Sequence, residues 1–347
     1  MKFHLILTID YELFGDGSGC IENCILKPTA SCLQALDEFQ VPLSFFVDAT
    51  EFISIREAYS STVYRSYPKV ERQLIEACQS IHNLQLHLHP QFKDATLSDN
   101  RWSLDLCKWR IGSLSHDEVT DLVETGLKFL GPLTGSAERG RNLKVFRAGG
   151  WSIQPSSKVL SVLKRNGIEM DTTVAPNTVN PARGDWYNFL KAPKSPYWYV
   201  HDDVCKEEDH PTNFAEVPIA TERVGVMKRA RSLTRHRSQP GLPEGCTGGC
   251  AGPNSKWQVL REKTSKLLRL GMTMLDYSTL PAWLLIEVTR AYMQRFANHE
   301  GPVPIVAIGH NKNFSSISRR NLQAWIEWAS KEPNIGFSDF AKWKAKL

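Results

Sequence analysis

No run in this 347-residue chain reaches the roughly 20 consecutive apolar residues that a membrane-spanning helix needs. Met1 leads straight into a strand-like segment. The basic flank, long apolar stretch and small-residue cleavage site of a secretory leader are all missing. Together these absences predict a cytoplasmic protein with no membrane span. Basic residues are not concentrated either: 42 Lys and Arg against 37 Asp and Glu give a formal charge of +5. That balance admits an anionic substrate but lacks the dense cationic stripe of a nucleic-acid binder, so no nucleic-acid partner is expected. No stretch is compositionally disordered, and no repeat occurs at solenoid spacing. Cysteine is sparse for a disulfide scaffold. Eight residues (20, 24, 32, 78, 107, 205, 246 and 250) are expected as reduced thiols inside a cell. Cys20 with Cys24 and Cys246 with Cys250 have spacing that a structural zinc site could use, but buried or unpaired thiols are the expected state.

What is present is a rhythm. Buried, branched-residue runs at Met1–Ile9, Pro42–Asp48, Leu84–His89, Lys144–Arg147 and Ile168–Asp171 alternate with helical segments. Those helices are predicted over Lys27–Phe39, Pro68–Ile81, from a Ser115/Glu118 cap onward, and over Pro155–Asn166. Alternation with short loops implies a parallel sheet built by right-handed crossovers. Two stretches break it: an aromatic-rich insertion at 176–213 and a basic, glycine-rich one at 228–254. Between them Phe214–Ile219 reads as a strand. Beyond them come a long helical region, Lys256–Asn298, then strand Val303–His310, helix Arg319–Ser330 and a last strand at Ile335–Phe337. Seven or eight strand slots favour one distorted (β/α) barrel spanning 1–347, with two loop insertions, over two domains.

Polar groups gather at one end of these strands. Asp10 and Glu12 close the first, and share one face if the chain stays extended through Tyr11. Two adjacent carboxylates at a buried strand mouth need a cation nearby. His87 and His89 project together from the third strand and could hold a first-row metal. Arg147 ends the fourth, where its guanidinium needs a carboxylate partner, and Gly149 and Gly150 follow it. Asp171 ends the fifth, and His310 ends the seventh after the apolar run Val303–Gly309. Polar residues at the carboxyl ends of several parallel strands are where such folds assemble their sites.

Leu7-Thr8-Ile9-Asp10-Tyr11-Glu12, Leu43-Ser44-Phe45-Phe46-Val47, His87-Leu88-His89-Pro90, Phe146-Arg147-Ala148-Gly149-Gly150-Trp151 and Ile308-Gly309-His310 are similar, in order and spacing, to the polysaccharide deacetylase family (NodB-homology domain, carbohydrate esterase family four). The resemblance covers most of the chain, in a variant form with Asp-x-Glu and His-x-His-Pro in place of the usual adjacent aspartates and wider histidine spacing. It implies a distorted barrel and metal-dependent removal of an N-acyl group, acetyl first, from an amino sugar in a glycan, glycolipid or nucleotide-sugar. Asp10 resembles the catalytic base. Glu12, His87 and His89 resemble the metal ligands, with zinc first and cobalt, nickel or manganese as alternatives. Arg147 resembles the residue that fixes the base; the Gly150 N–H would lie near the oxyanion. His310 resembles the general acid, and Asp171 the carboxylate that orients it. Trp151, Trp186 and Trp198 are candidate sugar-contacting aromatics, with core filling beneath a long loop an equally good reading for the Trp186–Tyr199 stretch, and Lys228, Arg229, Arg231, Arg235 and Arg237 could meet a phosphate on a sugar conjugate, although a solvated basic loop is the plainer reading. Two alternatives share these residues: a non-haem iron oxygenase-type His/His/carboxylate site, and a catalytically silent sugar-binding member of the same fold.

Overall fold

The computed structural model describes residues 1–58, 64–99, 101–135, 143–181, 186–225 and 272–347. Its centre is one nine-stranded sheet. The first half of the chain alternates β1 (Phe3–Tyr11), α1 (Lys27–Asp37), β2 (Leu43–Asp48), α2 (Ala49–Glu57), α3 (Tyr67–Gln79), β3 (Asn83–Leu88) and α4 (His116–Leu133). The second continues with β4 (Val145–Ala148), α5 (Ser157–Arg165), β5 (Met170–Asp171), β6 (Trp198–Tyr199), β7 (Ala215–Glu216), α6 (Ala282–Arg295), β8 (Val303–His310), α7 (Ser316–Lys331), β9 (Ile335–Phe337) and α8 (Phe340–Lys344). Strand order is β6–β7–β5–β4–β3–β2–β1–β8, with β9 beside the first half of β1. All pairings are parallel except β6 with β7.

The sheet is curled, and the chain beyond β7 bonds across to β8. Past β7, the Ile219 N–H bonds Val174 O and the Ala220 N–H bonds Val306 O of β8, both at 2.9 Å. The segment Leu275–Tyr277 also exchanges hydrogen bonds with Ile308.

Strand periodicity sorts the side chains into two cores. On β1, Leu5, Leu7, Ile9 and Tyr11 face outward and pack with the helices, whereas Ile6 joins Phe46, Val145, Met170 and Val306 inside the curl. Phe340 and Trp343 of α8 belong to that inner cluster. The inward line of β1 therefore runs from apolar Ile6 through Thr8 to Asp10. Its polar members lie at the carboxyl end, where the sheet gives way to loops. Helix α4 starts where its sequence directs: Ser115 Oγ accepts the Glu118 N–H at 3.2 Å while Glu118 accepts the Ser115 N–H at 2.9 Å.

Several expectations change. Helix α2 follows β2 at once, capped by Asp48, and no separate signal announced it. The stretch 176–213 is partly built into the sheet, since it supplies β6 as the antiparallel edge strand. Within the long helical region foreseen for 256–298, Met272–Met274 is a strand paired with Thr221–Arg223, and only Ala282–Arg295 is helical among the described residues. The 228–254 insertion, its basic residues and Cys246 with Cys250 lie outside the described residues. Cys24 is disulfide-bonded rather than a thiol, whereas Cys20, Cys32, Cys78, Cys107 and Cys205 remain thiols. No helix among the described residues is long and apolar enough to cross a membrane.

Candidate metal centre

Three strands, β1, β3 and β8, bring Asp10, Glu12, His87, His89 and His310 to one place. Parallel register sets Asp10 against His310 on β8 and Asp48 against His87 on β3. Glu12 lies one residue beyond β1 and His89 one beyond β3, so both bend over the mouth of the sheet. The result is two overlapping groups whose donor atoms all lie within 4.8 Å of one another: Glu12 with His87 and His89, and Asp10 with Glu12 and His310. Tyr11, between the two acids, turns to the opposite face and bonds Gln73 Oε1 at 2.9 Å.

His87 and His89 are each aimed by a partner on Nδ1. His87 Nδ1 donates to Arg147 O at 2.8 Å, and a carbonyl can only accept. His87 Nε2 then faces Glu12 Oε2 at 3.1 Å. An unprotonated ring nitrogen and a carboxylate oxygen this close repel unless a proton or a metal cation stands between or beside them. His89 Nδ1 donates to Asp48 Oδ2 at 2.9 Å and lies 3.1 Å from Glu12 Oε2. The donor set of two tied-back imidazoles and one carboxylate thus suits a divalent first-row metal. Burial alone would raise the Glu12 pKa, but Lys312, His89 and His87 outweigh it and hold the carboxyl well below its ordinary value. Burial opposes charge on His89, yet Glu12 and Asp48 overcome it and raise its pKa.

Beside this cluster sits a buried ion pair. Arg147 Nη1 donates to Asp10 Oδ1 at 2.5 Å, Nη2 to Thr8 Oγ1 at 3.0 Å and Nε to Thr172 O at 3.0 Å. The guanidinium also stacks 4.2 Å from the Phe46 ring centroid. With Oδ1 occupied, Asp10 Oδ2 faces His310 Nε2 at 3.6 Å. The opposite nitrogen, His310 Nδ1, is buried and has no hydrogen-bond partner among the described residues. Trp151 meets His310 edge-on at 6.2 Å and holds a left-handed backbone, φ 58°, that a tryptophan adopts only when its surroundings impose it. Gly150 precedes it at φ 57°. Gly149 has a different reason to be glycine: a Cβ there would lie 2.5 Å from His89 Cδ2 and 2.6 Å from Leu88 O.

Two predicted residues fall elsewhere. Asp171 is paired with Phe146, which faces the outer core, not with inward-facing Arg147. Its carboxylate takes the Thr173 hydroxyl at 2.7 Å and the Thr173 N–H at 3.2 Å and pairs with Glu216. It does not reach His310. Burial pushes the Asp171 pKa up, and burial with Asp171 alongside pushes the Glu216 pKa well up. Trp198 is 1% exposed and donates its indole N–H to Val204 O at 2.9 Å. It is a core residue, with no face left for a sugar. Trp186 is partly buried, beneath the Arg110 guanidinium at 5.5 Å.

Three residues that sequence reasoning passed over belong to the site. Asp48 ends a buried strand as Asp10 does, which was a usable signal. Trp109 stands edge-on to His89 at 6.3 Å. Lys312, in the turn after β8, bonds Glu12 Oε1 at 2.6 Å and Leu13 O at 2.7 Å. Nothing local marks either of these two.

Fold and site together define a curled, mostly parallel α/β sheet carrying a buried His/His/carboxylate cluster at its carboxyl end. No family model and no curated protein matches the chain. Among solved structures, it is similar to a candidate polysaccharide deacetylase from Mycobacterium smegmatis: 14% identity, TM-score 0.50, covering 98% of this chain and 88% of that one. An allantoinase aligns at 13% identity and TM-score 0.47 over 98% and 88% of the two chains. A family-four carbohydrate esterase pseudoenzyme from Bacillus anthracis aligns at 10% and 0.41 over 99% and 65%. At such identities the likeness is one of fold.

Proposed function

We propose that this chain is a metal-dependent hydrolase that removes an N-acyl group, acetyl first, from an amino sugar in a glycan, glycolipid or nucleotide-sugar. The convergence of Glu12, His87 and His89 beside the Asp10–Arg147 pair and His310 carries this reading. Glu12, His87 and His89 would hold the metal, zinc first. A divalent ion there would polarise the acyl carbonyl and make water acidic enough, with a pKa near ~7, to supply hydroxide at neutral pH.

The chain's own residues supply the rest. Arg147 fixes one oxygen of Asp10 and leaves Oδ2 to take the proton of the attacking water. His310 Nε2, near that oxygen, delivers a proton to the departing amine. Gly150 N–H lies in the turn that follows Arg147 and is the donor assigned to the oxyanion. Trp151 walls the His310 side and limits water there. The parallel sheet argues against the oxygenase alternative, whose sites usually sit on antiparallel barrels.

The test is acetate release from a panel of N-acetylated amino sugars, with and without chelator, followed by metal restoration. Release that chelation stops and zinc restores is the expected result. Sugar binding without release on any member would turn the reading to the silent sugar-binding alternative.

A further inference from the structure

Glu12 divides its two oxygens between different neighbours. Oε2 faces His87 and His89, each at 3.1 Å. Oε1 is taken by the Lys312 ammonium at 2.6 Å. The turn that carries Lys312 grips Glu12 elsewhere too: Asn311 Oδ1 accepts the Glu12 N–H at 3.3 Å, and Lys312 Nζ also bonds Leu13 O at 2.7 Å. The lysine side chain is only 13% exposed and the glutamate 5%, so this ammonium is a fixed part of the site rather than a solvated surface charge. A fixed cation next to three cation-ligating groups is an unusual arrangement, because it repels the ion those groups would hold.

From this geometry we infer that Lys312 is a positioning residue that makes Glu12 a one-oxygen metal ligand and weakens the site's grip on its ion. Carboxylates can bind a metal through one oxygen or two. With Oε1 committed to the ammonium, only Oε2 is left on the imidazole side, and coordination positions remain for water and substrate.

This inference rests on the metal-site reading above, and the experiment separates the two. The full-length protein, stripped with chelator, is titrated with cobalt(II) alone. Affinity is measured by competition with a chromophoric chelator, and coordination by the visible absorption of the bound ion. Wild type, Lys312→Met and Lys312→Gln are compared, with circular dichroism and melting curves confirming that each is folded. The expected result is one ion per wild-type chain, binding at least tenfold tighter in both variants, and a weaker, shifted cobalt spectrum as the second Glu12 oxygen joins the ion. Affinity within threefold of wild type or weaker, with an unchanged spectrum, overturns the role of Lys312 while leaving the metal site standing. A folded wild type that takes up no cobalt overturns the metal-site reading itself.

Discussion

Replacing Arg147 with methionine tests the buried ion pair on which the proposed base depends. Methionine keeps much of the stem that packs on Phe46 but removes three hydrogen bonds, to Asp10, Thr8 and the Thr172 carbonyl. Asp10, 3% exposed, is then left without the guanidinium that pairs with it. Breaking a buried pair by deleting one partner costs about 3–5 kcal/mol, because the remaining charge stays desolvated. With an unfolding entropy of about 2.1 cal/mol/K per residue, a chain of this length loses about 1.4 °C per kcal/mol, so the melting point should fall by about 4–7 °C. The assay is thermal unfolding followed by circular dichroism, run in chelator so that metal binding does not contribute. Adding Asp10→Asn to Arg147→Met should recover at least half of the loss, since the stranded charge is gone. An Arg147→Met protein as stable as wild type, or a double variant no better than the single one, would refute the reasoning.

Gly149→Ala should cost about 1–3 kcal/mol and weaken zinc binding, because the new methyl must displace the His89 ring or the Leu88 carbonyl; chemical unfolding and a metal titration measure the two effects. Asp48→Asn keeps a cap for α2 but no longer holds His89 Nδ1 with a charged acceptor, so zinc affinity should drop about 10- to 100-fold with little change in melting point. Glu216→Gln addresses pH. The Glu216 pKa is raised on folding, so its contribution to stability is complete below the unfolded glutamate value and is lost as pH rises toward the folded one. Within that window, wild type loses up to roughly 1.4 kcal/mol per pH unit from this group, and the neutral variant does not. The stability of Glu216→Gln relative to wild type should therefore grow from pH 5 to pH 8, and a constant difference in melting point would contradict the upward shift at Glu216.

The fold was legible because parallel strands buried on both faces are written as continuous apolar runs. Strand Val303–His310 was predicted to its end residues, and β1, β2 and β3 to within two residues at most. The carboxyl ends of those runs also flagged Asp10, Glu12, His87, His89, Arg147 and His310, which the structure brings together. Asp171 shows where such reasoning stops. Its strand end was right, but alternation puts it on the Phe146 face, and only the β4–β5 register decides that. Trp198 misled for a related reason: an aromatic in an irregular stretch reads as a loop residue until β6 is seen to pair into the sheet. Lys312 could not be found from its neighbours at all, because its meaning comes from a carboxylate 300 residues away.

The central claim is that one divalent cation is held between Glu12, His87 and His89. Crystals grown with zinc and measured on both sides of its absorption edge test this most directly. The account predicts a single strong anomalous peak bounded by those three side chains, abolished by His87→Ala. No peak there, or one bound only by other residues, would contradict it.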